Sequence, residues 1–100
     1  MNQGVADLCR LWDIPVPPAS TGYVPLLPIV EAACDRGFVC VLKWDGERDP
    51  DAGDNGGCTV IISGGPLTGS DTFFRIDAAT METALVSVLS SLGDWVSKRG

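Results

Sequence analysis

Two β-forming runs, Phe38-Val39-Cys40-Val41-Leu42-Lys43-Trp44 and Cys58-Thr59-Val60-Ile61-Ile62-Ser63, enclose the stretch Asp45-Gly46-Glu47-Arg48-Asp49-Pro50-Asp51-Ala52-Gly53-Asp54-Asn55-Gly56-Gly57. Both runs are rich in β-branched and aromatic residues, and glycine, proline and aspartate separate them, so they read as a hairpin with a long loop. The loop holds five carboxylates against one arginine, the most uneven charge in the chain. The first run is apolar on both pleat faces until Lys43, which predicts a central strand or one covered on both sides.

Downstream, Gly64-Gly65-Pro66-Leu67-Thr68-Gly69-Ser70-Asp71 is dense in turn residues and reads as a strand connection. Thr72-Phe73-Phe74-Arg75-Ile76 predicts a third, shorter strand, with Arg75 marking a wet face at a sheet edge. Met81, Leu85, Val88, Leu92 and Val96 recur at helical spacing, supported by Ala84 and Leu89. Thr80 is placed to cap that helix. Glu82 sits in its first turn, and Lys98 and Arg99 near its end, as the helix dipole favours. Gly93 reads as a weak point, costing about 1 kcal/mol relative to alanine.

Upstream, Val5, Leu8, Cys9 and Trp12 share one face of an expected helix over residues 4–14, with Asn2 as its cap. Pro15-Val16-Pro17-Pro18-Ala19-Ser20-Thr21-Gly22 ends it and forms a linker of fixed shape. A second helix is expected from Pro25 to Arg36, because Pro25 and Pro28 are tolerated only in a first turn. Leu26, Val30 and Ala33 share its face, with Leu27 and Cys34 beside them. Gly37 is the expected left-handed residue at its end.

The expected fold is therefore α+β: a small three-stranded antiparallel sheet packed with helices, in the order α-α-β-β-β-α. One hundred residues suit one domain, here the N-terminal helix, the linker over 15–22 and an α-β-β-β-α body over 24–98. A formal charge of −6 argues against nucleic acid or an anionic membrane as partner and favours a protein with a basic surface. Met1-Asn2-Gln3-Gly4 has neither the charged nor the apolar region of a signal peptide, so a cytoplasmic location is expected. The four cysteines then read as small buried hydrophobes in a reducing compartment. Cys9 and Cys34 fall on helical apolar faces, and Cys40 and Cys58 are candidates to oppose each other across the hairpin.

A helix ending in Gly37-Phe38 is followed by the strand Val39–Trp44, the returning strand Thr59–Ser63 and the segment Ala79-Thr80-Met81-Glu82-Thr83-Ala84-Leu85. In these features the span from Val24 to Trp95 resembles the small α-β-β-(β)-α domains of phage proteins, the phage ABA sandwich type. In such domains a threonine-capped final helix of pattern T-x-E-x-A-L follows the sheet. The acidic loop and the N-terminal helix with its linker lie outside that pattern. The last four elements also follow the order of a double-stranded-RNA-binding domain. That family needs basic residues where this chain has Thr80-Met81-Glu82, so the function is rejected.

The chain contains no histidine, which excludes Ser-His-Asp and Cys-His catalysis and removes the commonest general acid-base group. The glycine-rich segment 64–69 lacks the Gly-Lys-Ser/Thr of a phosphate-binding loop. Asp45, Glu47, Asp49 and Asp51 alternate as calcium ligands do. However, an EF-hand loop starting at Asp45 would need glycine where Pro50 stands and glutamate where Gly56 stands. Two further readings of the loop stay open, a solvated hairpin tip and a recognition surface for a basic partner.

Trp12 and Trp95 read as core anchors, and Trp44, beside the charged loop, as the exposed one and an interface hot spot. The expected function is non-catalytic protein binding through Trp44, Asp45, Glu47, Asp49, Asp51 and Asp54, with no cofactor or metal. By the resemblance, the protein would be a mobile-element inhibitor of a bacterial defence system that occludes a basic surface. The alternatives are an immunity protein neutralising a toxin, a small metal-dependent enzyme using the carboxylates, and an assembly protein that dimerises through the third strand.

Overall fold

The computed structural model describes residues 3–17, 22–46 and 57–99. It contains α1 (Gln3–Leu11), α2 (Leu27–Asp35), β1 (Val39–Trp44), β2 (Cys58–Ser63), β3 (Phe74–Ala78) and α3 (Met81–Arg99). Short 3-10 turns at Val24–Leu26 and Gly65–Leu67 complete it. This is the α+β order expected, with a three-stranded antiparallel sheet in the order β1-β2-β3. No described helix is long and apolar enough to cross a membrane.

The central strand is β2, not β1. Its Cys58, Val60 and Ile62 are buried against the helices, and their register partners Cys40 and Leu42 on β1 and Phe74 and Ile76 on β3 pack on the same core. The alternate residues form an open face, on which Val39 and Val41 are 53% and 45% exposed. The two-sided apolar pattern of β1 thus reflects β-branched residues suited to a pleated strand rather than burial on both sides. On the same open face Thr59 donates a hydrogen bond to Asp77, which Arg75 also approaches at 3.7 Å. The wet, edge character expected of the third strand is correct, but the strand starts at Phe74 rather than Thr72. Asp71 adopts φ 56°, and the Ser70 hydroxyl accepts a hydrogen bond from the Thr72 amide, so the turn holds these residues out of register.

The cysteine opposition expected across the hairpin does not occur, because Cys40 pairs with Ile62, and Cys58 with Trp44. All four cysteines are free. Cys34 is exposed, a correction to its place on an apolar face. The buried stripe of α2 runs through Ile29 and Ala33, with Leu26 just before it, which turns Cys34 outward.

Both N-terminal helices end in the same way. The Ile14 amide donates to the Cys9 carbonyl at 2.8 Å, and Asp13 takes φ 57° between them. The Phe38 amide donates to Ala33 and the Gly37 amide to Cys34, at 3.1 and 3.0 Å, around Gly37 at φ 94°. These are Schellman ends, a left-handed residue that lets the chain turn back and satisfy the last carbonyls. The first of them stops α1 at Leu11, three residues before the end expected at Ile14. The second stops α2 at Asp35, and the proposed first turn at Pro25 is a separate 3-10 turn.

α3 lies along the sheet with Met81, Leu85, Val88 and Leu92 buried, and Thr80 caps it as expected, its hydroxyl accepting the Thr83 amide at 3.2 Å. Glu82 also reaches across to accept the Gly22 amide at 3.1 Å, which ties the proline-rich segment to the start of the helix. α1 crosses α3 where both helices carry glycine. A Cβ built on Gly93 would collide with the Gly4 carbonyl, and one on Gly4 would collide with Ser90. Gly93 is therefore the close-approach point of the crossing rather than a weakness of the helix. Its presence lets Val5, Leu8 and Cys9 reach full burial in one continuous core. Asn2, the expected cap of α1, lies outside the described residues.

Candidate functional site

The expected partner-binding residues begin at the end of β1. Trp44 is 54% exposed there, although its side chain leaves the strand on the core side of the sheet. Tyr23, just before the 3-10 turn at Val24–Leu26, meets its ring edge-on with centroids 5.4 Å apart. The indole is thereby fixed in orientation while part of its surface stays in water. The next residue, Asp45, is exposed, and its amide donates to the Gly57 carbonyl at 2.6 Å across the mouth of the hairpin. The structure thus places Trp44 against Tyr23, with Asp45 following it at the end of the strand. Glu47, Asp49, Asp51 and Asp54 lie outside the described residues. Among the described residues no group of three or more cysteine and carboxylate side chains is arranged to hold a metal.

At the other end of β1, about 20 Å away by strand rise, a second feature forms that the sequence did not reveal. Trp12, Phe38 and Trp95 converge there, with Phe38 in the middle at 6.1 Å from Trp12 and 6.4 Å from Trp95. Trp12 and Trp95 pack against the core but remain partly exposed, so they are walls of a cleft rather than interior anchors. The cleft has a volume of about 250 Å³, and Pro66 and Val96 complete its apolar lining.

Local geometry explains the convergence. The Schellman end of α1 turns Trp12 inward, and the same motif at Gly37 delivers Phe38 to the start of β1. Gly65 packs so closely on the Gly37 carbonyl that a Cβ there would collide with it, and this contact sets Pro66 at the rim. Trp95 comes from the last turns of α3.

Two arginines border the cleft. Arg36 lies over the Trp12 ring at 4.5 Å and donates to the Ala32 carbonyl at 3.0 Å, and Arg99 lies over the Trp95 ring at 4.1 Å. Each stacking is worth about 0.5–1 kcal/mol at an exposed site. Among the described residues the ion pairs found are Arg10–Asp7 and Arg75–Asp77, so neither cleft guanidinium is neutralised by a carboxylate there. The Trp95–Arg99 spacing of one helical turn was readable from the sequence. The contact of Trp12 with Arg36 and Phe38 was not, because a linker and a helix separate them.

A third grouping joins α2 to β1. The Cys40 thiol is pushed up from an ordinary 9.0 to about 12, first by burial and then by a hydrogen bond and charge interaction with Cys34. Burial also raises Cys9. Neither is a reactive thiolate near neutral pH, since nucleophilic cysteines require a lowered value.

Comparison with protein families, with curated proteins and with solved structures finds no match to this chain.

Proposed function

We propose that the protein works without catalysis, by binding another protein and covering a basic surface of it. The supporting observation is Trp44, an oriented and half-exposed indole at the mouth of a loop with five carboxylates. Aromatic anchors beside charge are the residue types that dominate binding energy, and clustered carboxylates steer a basic partner into place. The absence of histidine from the chain and the raised thiols at Cys9 and Cys40 suit binding better than covalent chemistry. As the biological setting we propose inhibition of a bacterial defence protein, by occlusion of a surface that would otherwise meet nucleic acid.

Affinity capture from the native host tests this reading with three proteins: the wild type, Trp44→Ser, and a variant with Asp45, Glu47, Asp49 and Asp51 replaced by asparagine. The wild type is expected to retain a basic protein. Trp44→Ser should weaken that complex by about 2 kcal/mol, as a hot-spot truncation does. The asparagine variant should slow its formation. Equal retention by all three, or retention of no basic protein, would show the reading to be wrong.

A further inference from the structure

The cleft of Trp12, Phe38 and Trp95 is separate from the Trp44 rim and opposite to it in charge. In a chain of formal charge −6, it holds two of the seven cations within one small apolar concavity. Both are arginines already oriented by stacking, Arg36 on Trp12 and Arg99 on Trp95, which lowers the entropy cost of presenting their remaining N–H groups. Three ring systems supply apolar walls, and Pro66 and Val96 add to the lining. A volume of about 250 Å³ suits one or two fused rings. Aromatic walls select a planar apolar body by stacking, and guanidinium groups select a carboxylate through charge-assisted hydrogen bonds.

We propose that this cleft is a binding site for a small planar aromatic carboxylate, its ring between the Trp12 and Trp95 walls over Phe38 and its carboxylate held by Arg36 and Arg99. The proposal stands independently of the protein-binding reading, since it uses none of the residues at the Trp44 rim.

The three tryptophans make the test direct. Each indole N–H gives its own signal in a ¹H–¹⁵N spectrum, and Trp44 serves as an internal control. The probes are indole-3-acetate and its neutral isostere indole-3-acetamide. Indole-3-acetate should shift the Trp12 and Trp95 signals saturably at up to millimolar concentration and leave Trp44 unmoved. The acetamide should bind about tenfold more weakly, the fold-change of one lost charge-assisted hydrogen bond. Arg36→Gln and Arg99→Gln should each lower the affinity for the acetate by a similar factor and leave that for the acetamide nearly unchanged. Both arginines are exposed, so the variants should fold, and an unchanged dispersion of the spectrum checks this.

Three results would overturn the proposal: no saturable shift of Trp12 and Trp95, equal affinity for acetate and acetamide, or an equal response of Trp44. Binding of peptides that end in an aromatic residue, where free indole-3-acetate does not bind, would also overturn it. In that case the cleft would be a docking point for a protein terminus.

Discussion

Gly93 shows how far a single residue's meaning depends on what faces it. In an exposed helix interior, alanine in place of glycine stabilises by about 1 kcal/mol. Here the added methyl would meet the Gly4 carbonyl, so Gly93→Ala should instead destabilise the protein by about 1–3 kcal/mol, the range for overpacking a tight contact. Urea denaturation followed by tryptophan fluorescence distinguishes the two signs. Cys40 makes a second prediction. Its thiol stays protonated in the folded protein up to about pH 12, whereas the unfolded chain ionises near 9.0. The folded value lies above the unfolded one, so the contribution to stability is complete below pH 9.0 and is lost as pH rises through about 12. The urea midpoint should therefore fall between about pH 8 and about pH 10.5 more steeply for the wild type than for Cys40→Ala. Parallel slopes would show that burial of the thiol does not matter.

At the scale of elements, the strengths and the failures of the sequence reading have definite causes. Thr80, Met81 and Glu82 announce α3 correctly because capping and dipole effects act within one turn. Gly37 likewise announces the end of α2, since glycine adopts a left-handed conformation without steric cost. No glycine announces the end of α1, because an aspartate, Asp13, occupies the same left-handed position. A left-handed aspartate is less costly than most residues there but still strained. Asp13→Gly should consequently stabilise the protein by about 0.5–1 kcal/mol, measured as a rise in thermal midpoint with the spectrum of Trp12 unchanged. The hairpin was legible as two strands, but its register was not. A long intervening sequence sets no pairing by turn geometry, and the packing of Val60 and Ile62 on α3 fixes which residues oppose.

For the whole molecule, the two ends of β1 differ in charge. Trp44 and Asp45, the first residue of the acidic stretch of the sequence, lie at one end, Arg36 and Arg99 at the other. Long-range attraction of a basic partner to the acidic end should be screened by salt. The complex proposed above is therefore expected to form more slowly as ionic strength rises from about 50 mM to about 300 mM, with less change in its dissociation rate. Stopped-flow mixing of the captured partner with the wild type measures both rates, and a salt-independent association rate would remove the steering role of the carboxylates.

The sequence by itself determined the α+β class, the order of the elements, the cap of α3, the turn at Gly37 and the acidic loop beside Trp44. All of these depend on neighbours within a few positions, where propensity and spacing act directly. Only the tertiary structure decided that β2 is central, that Gly93 meets Gly4, and that Trp12, Phe38 and Trp95 share one cleft with Arg36 and Arg99. Those outcomes join residues far apart in the chain. They follow from the close packing of α1 on α3 and of the Gly65 turn on Gly37, which no local pattern encodes.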